Sequence, residues 1–263
     1  MSKVGNRLAE GLQRARQDMI VNSEQLRRMT HRDVIVNNEQ LGQIIRAEAD
    51  VPETNVQITP HNTLPIDRVA NAQKVALVLG GGADVFAEYA KAREMCTTAG
   101  REVLIIACND MIALFPEVID HAVTLHPEYY PRWLKARKGA GFPPLTRIWS
   151  HRSYVGFTDH TKDWTGSSGL MCIKIAREIG CTHIILCGVP MTPDGEHFVR
   201  HQRWQAAHGF RRGWGRHVHS LKPFVRSMSG WTRENFGYPT YDWLVKTIDD
   251  PYPMHPQPVG IKA

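Results

Sequence analysis

The stretch from Gly166 to Gly188 constrains the fold most. It reads Gly166-Ser167-Ser168-Gly169, then Leu170 to Gly180, then Cys181 to Gly188. Leu170, Ile173, Ala176 and Ile179 recur at helical spacing, and Gly180 stands where a helix C-terminal glycine belongs. Ile184, Ile185 and Leu186 then run apolar without alternation, as in a strand covered on both faces. The order predicted is loop, helix and buried strand. Ser167, Ser168 and Gly169 therefore fall at a helix N-terminus, where unpaired amides and the helix dipole attract phosphate.

A second unit of this kind lies upstream. Lys74 to Leu79 is a short apolar run, Gly80-Gly81-Gly82 follows, and an Ala/Glu/Lys/Arg-rich helix extends to about Ala99, with Gly100 as its stop. Strand, glycine turn and helix form the first unit of a nucleotide-binding α/β domain. Gly80 and Gly82 fit the first two glycines of the dinucleotide fingerprint, but Val85 holds the third place. An NAD reading through Asp110 is disfavoured, because the acidic residue also stands too far from the glycines.

Apolar runs at 75–79, 103–107, 121–125, 145–149, 183–187 and 217–222 predict six strands, with helices between several of them. The expected class is α/β: a Rossmann-like, mostly parallel sheet with helices on both faces and an N-terminal helical extension. Three regions follow. Residues 1–70 read as helical extension and linker, 71–248 as the nucleotide-binding domain and 249–263 as a Pro-rich tail. Leu8, Leu12, Ala15, Met19 and Leu26 line one side of a helix over 5–29. That side either packs on the main domain or joins copies into a homo-oligomer.

The 263 residues carry no apolar run long enough to span a bilayer and no secretion-signal core. Five cysteines without a Cys-x-x-Cys pair predict buried thiols in a reducing compartment, hence the cytoplasm. A net charge of +6 suits an anionic ligand.

Ligands of such sheets bind outside the strand carboxyl ends. Those ends supply Gly80, Gly81, Gly82, Asn109, Asp110, His126, Gly188 and the loop that runs on to Asp194-Gly195-Glu196-His197. Asn109 reads as a ribose, base or sugar contact, or as a turn residue. His126 reads as a ligand contact or general acid/base, or as a loop histidine before Pro127. His197 and His201 lie four apart beside Glu196, but no third ligand stands out, so no metal is expected. Arg200, Arg203, Arg211, Arg212 and Arg216 interleave with Trp204, Phe210 and Trp214. This segment reads as an amphipathic helix packed by its aromatic side. A nucleotide or single-stranded nucleic acid clamp is the less favoured alternative. The turn from Arg226 to Thr232 is a further candidate ligand loop.

In order and spacing these motifs resemble the Rossmann-like bacterial lipooligosaccharide sialyltransferases and related domains that include a 6-hydroxymethylpterin diphosphokinase. The matching elements are Leu79 to Gly82, Cys108-Asn109, Ala122 to Pro127, Ser167 to Gly169 and Leu186 to Gly188. They cover about 74–200, and the overall style of the chain resembles bacteriophage-encoded members. The resemblance implies a cytidine-nucleotide pocket lined by the glycine loop, Asn109, the position of His126, and Ser168. Pro190 stands where the family has an aspartate, and Thr192 and Phe198 near its two tyrosines. The expected activity is transfer from a nucleotide donor, most simply a nucleotide sugar bound as substrate, with no tightly held cofactor. His126 and His201 are the candidate bases. A diphosphokinase-type transferase is one alternative. A catalytically inactive phage assembly protein, associated with the particle rather than free in the host cytoplasm, is the other.

Overall fold

The computed structural model describes residues 66–162, 167–193, 195–198 and 207–248. The N-terminal helix, His201 and the Pro-rich tail lie outside the described residues. No helix among the described residues is long and apolar enough to cross a membrane.

The first strand, β1 (Lys74–Leu79), is wholly buried from Val75 onward. β2 (Glu102–Cys108), β3 (His121–Thr124), β4 (Arg147–Ser150), β5 (Asp159–His160), β6 (His183–Cys187) and β7 (Val225–Ser227) complete a seven-stranded sheet among the described residues. Every pairing is parallel, in the order β5-β4-β3-β2-β1-β6-β7. The arrangement is α/β and Rossmann-like, as the alternating pattern requires.

Between the strands run α1 (Arg68–Ala72, before β1), α2 (Val85–Thr98), α3 (Met111–Leu114), α4 (Tyr130–Gly139), α5 (Ser168–Glu178), α6 (Ala207–Leu221), α7 (Gly230–Phe236) and α8 (Tyr241–Val245). α5 begins and ends where its sequence says. Gly180 takes a positive φ of 104°, and Cys181 N–H donates back to Ala176 at 2.9 Å, closing the helix with a glycine stop. Leu170, Ile173, Ala176 and Ile179 are fully buried. They pack with Ala76, Val78, Leu104 and Ile106 on one face of the sheet, and Trp214 of α6 joins that core.

One expected strand is a helix. Residues 217–222 carry alternating histidines that mimic a strand, but they form the end of α6 and the turn after it. Ala207, Trp214 and Leu221 repeat every seven residues and are the buried positions of α6. The seventh strand is instead the three-residue β7, with Val225 and Ser227 buried. The five cysteines are buried free thiols.

Chain order reverses beside β1. Strands β2 to β5 step away on one side, and the chain then returns to lay β6 on the other. The carboxyl ends of β1 and β6 thus flank a topological switch point, the usual ligand crevice of such sheets.

Candidate functional site at the carboxyl edge

At the end of β2, Asn109 adopts a left-handed backbone with φ 53°. Asparagine tolerates this better than most residues. Its Oδ1 accepts from Thr124 Oγ at 3.1 Å and from Ser168 Oγ at 3.2 Å. Thr124 ends β3, and Ser168 opens α5. Thr124 Oγ also receives the His126 backbone N–H at 2.8 Å. With that lone pair filled, its own proton goes to Asn109, which fixes the amide orientation. The Nδ2 donors of Asn109 are then the ones left for a ligand. Ser150 of β4 pairs in register with Thr124 and is fully buried. Its hydroxyl has no hydrogen-bond partner, an uncommon state for a buried polar group.

Asp110 follows in the chain and is nearly buried. Its Oδ1 accepts from the Trp133 indole at 3.0 Å. Its Oδ2 faces His197 Nε2 at 3.7 Å, in ion-pair range but long for a hydrogen bond. The imidazole lies over Gly81: a Cβ there would sit 2.3 Å from His197 Nε2. Gly81 is required for this close approach and not for a left-handed backbone, since its φ is not positive. His197 reaches this place because its segment pairs with the glycine turn. Gly82 and His197 form an antiparallel bridge, and Phe198 N–H donates to Gly81 O at 2.7 Å.

That pairing changes what the glycine turn offers. Gly80 N–H donates to Cys187 O, Gly82 N–H to Gly188 O, and Ala83 N–H to Glu196 O, at 2.8, 2.8 and 3.0 Å. These three amides are engaged by protein carbonyls and do not form an open phosphate cradle. Gly188 N–H is likewise held by the Glu88 carboxylate at 2.6 Å. Burial raises the pKa of Glu88, against the lowering effect of its bonds to Ser229 and Gly188.

The N-terminus of α5 is built differently. Ser167 has an extended backbone and makes no side-chain cap. Its hydroxyl accepts from the Trp214 indole at 2.9 Å. The helix therefore opens without spending that hydroxyl on its own first-turn amides, beside the Asn109–Ser168 contact. Gly169 lets Trp214 approach, with a Cβ meeting the indole at 3.2 Å.

The structure thus joins Asn109, Ser168, Gly81, Gly82 and Gly188 along one edge and adds Thr124, Asp110 and His197. His126 is not brought into this group by its ring. Its imidazole is half exposed, 3.3 Å from Glu128, and only its backbone enters the network. His197 was visible in sequence as one of a histidine pair, but its relation to Asp110 is purely tertiary. Among the described residues no three metal-ligating side chains cluster. Within the Arg226–Thr232 turn the hydroxyls at the carboxyl edge do not open to a ligand: those of Ser227 and Thr232 bond each other at 2.8 Å, and Thr232 donates to Val189 O at 2.6 Å. On α6, Trp214 is buried and Arg211 Nε donates to Met191 O at 2.7 Å, so that part of the basic segment braces the chain after β6.

No family model and no curated protein matches the chain.

Proposed function

We propose that the protein is a transferase acting on an activated nucleotide donor, most simply a nucleotide sugar. One observation carries this reading: Asn109, the opening of α5 at Ser168, and the His197–Asp110 pair converge at the switch point of a parallel sheet. The first-turn amides of α5 would hold a phosphate. Asn109 Nδ2 would orient the nucleoside or sugar. His197 would take the acceptor hydroxyl proton as general base, with Asp110 steadying the imidazolium through Nε2 and Nδ1 accepting the proton. This assigns the base to His197 in preference to His126. The sialyltransferase-like order of the motifs supports the same substrate class.

A second reading rests on the closed glycine turn. Its bonds to the chain after β6 would also suit an assembly protein that kept the fold and lost the chemistry.

Calorimetric titration with cytidine, uridine, guanosine and adenosine mono- and diphosphates separates the two. The transferase reading expects saturable binding of at least one, weakened in Asn109→Gly. Absence of binding to all at millimolar concentration overturns it in favour of assembly.

A further inference from the structure

The opposite, amino edge of the sheet carries a separate feature. A cavity of about 290 Å³ lies between the turn before β7 and the chain that follows α8. Pro223, Arg226, Trp243, Lys246, Thr247 and Ile248 line it. Arg226 is half-buried, and its Nη1 donates to Lys222 O at 2.6 Å and Val225 O at 2.8 Å. The guanidinium stands 4.8 Å from the centre of the Trp243 ring. That ring is fixed in turn by its indole N–H, which donates to Pro223 O at 3.1 Å.

No carboxylate among the described residues pairs with Arg226, and burial alone depresses its pKa. Among the described residues the charge therefore has no acidic partner. Nη1 is spent on carbonyls, which leaves Nε and Nη2, the edge that grips an oxyanion with two parallel bonds. Lys246 adds a second positive charge on the cavity wall. The neighbouring His183 has its Nε2 2.9 Å from Trp243 O. Burial first and the Arg101 charge next hold its pKa down at about 4, against the raising effect of its backbone bonds to Trp243 and Lys246, and Arg226 contributes least.

We infer that this cavity is a second ligand site, for a compact oxyanion gripped between the Arg226 fork and the Lys246 ammonium. The shared chemistry is that of a phosphate or a carboxylate. Arg226 already covers a face of Trp243, which leaves that face closed to a stacked base. The volume, about 290 Å³, lies at the bottom of the roughly 300–1,000 Å³ range of small-molecule pockets, in keeping with a small ligand. The site lies on the edge away from Asn109 and His197, so its ligand would act on the protein without entering the transfer reaction.

The test is a titration of the full chain with inorganic phosphate, and separately with acetate, at constant ionic strength. Amide and indole resonances of Arg226, Trp243 and Lys246 report this cavity, and those of Asn109 and Ser168 report the other edge. The expected result is a saturable shift at the cavity resonances in one arm, which identifies the oxyanion. Lys246→Gln should weaken it by about tenfold, the scale of a bond to a charged group. Lys246 is exposed, so this variant should fold normally. Asp249 and Asp250 follow Ile248 in the sequence and could compete, so an Asp249→Asn/Asp250→Asn chain is titrated as well. No cavity shift in either chain, or equal affinity in Lys246→Gln, overturns the inference.

Discussion

The turns after β1 and β2 both end buried parallel strands at the same edge, yet they use their polar groups in opposite ways. After β1, Gly80, Gly82 and Ala83 give their amides to the chain that leaves β6. After β2, Asn109 accepts from two hydroxyls at its side-chain Oδ1 and keeps its Nδ2 donors. The first turn is glycine-rich because another backbone lies against it: a Cβ on Gly80 would come within 2.5 Å of Gly188 O. The second is strained, with side-chain donors still to be satisfied. A small-residue turn at a strand end is therefore as good a seat for protein as for phosphate. What distinguishes the two is whether the donors are already spent.

The largest expected effect falls where the two turns meet, at His197. If the closed turn serves to seat a base against Asp110, His197→Gln should cost about 10²- to 10⁴-fold in transfer rate, the usual worth of a general base. Nucleotide affinity and melting temperature should stay close to wild type. A full rate in this variant would return the glycine turn to a purely structural role.

Next in size is Gly80→Ala. The new methyl meets backbone and the Val189 side chain, so the sheet edge must shift. Overpacking of this kind costs about 1–3 kcal/mol. Urea denaturation should show that loss with or without nucleotide. At Gly81→Ala the nearest atoms are those of the His197 ring, a side chain that can turn aside, so this variant should melt nearly normally and instead slow transfer. Equal melting losses in the two variants would erase the distinction between a backbone seat and a side-chain seat.

These contrasts mark what the sequence could say. β1, β6, α2 and α5 were legible because strands covered on both faces read as unbroken apolar runs and the helices stop at glycines. β5 has two residues and β7 three, too few for any period to show. Residues 217–222 misled because His217 and His219 alternate, while the seven-residue spacing of Ala207, Trp214 and Leu221 carried the truer signal. Asn109 and Ser168 could be placed because each sits where an element begins or ends. Asp110 lies beside Asn109 in sequence, but its pairing with His197, and that of Thr124 with Asn109, arise only through tertiary contacts. The glycines announced that something lies close, but not that it is Gly188 O and the His197 ring.

At the open turn, smaller effects are expected. Ser168→Ala removes one hydroxyl proton from Asn109 Oδ1 and should weaken nucleotide binding by about 1 kcal/mol, the worth of one ordinary hydrogen bond. Asn109→Gly relieves the left-handed strain and should leave the melting temperature within a few degrees, yet weaken binding by at least as much as Ser168→Ala. Calorimetry on both variants checks this. If Ser168→Ala weakened binding and Asn109→Gly did not, the Nδ2 donors would have no part in recognition.

The smallest effect concerns the bond that ties α2 to the closed turn. Burial raises the Glu88 pKa above its usual value, so the folded protein binds that proton more tightly than the unfolded chain does. Stability from this group is then greatest at low pH and declines as pH rises from the unfolded value through the raised one. The Glu88 bond to Gly188 N–H favours the ionised carboxylate and opposes the rise in pKa. Glu88→Gln keeps an acceptor for that amide and removes the buried charge. It should leave stability at pH 7 unchanged or raised by less than about 1 kcal/mol, while flattening the acid side of the stability profile. Urea melts of both proteins between pH 4 and 8 measure this. A marked loss at pH 7 would mean that the charge itself holds Gly188, and that the closed turn depends on an ionic contact as well as on backbone pairing.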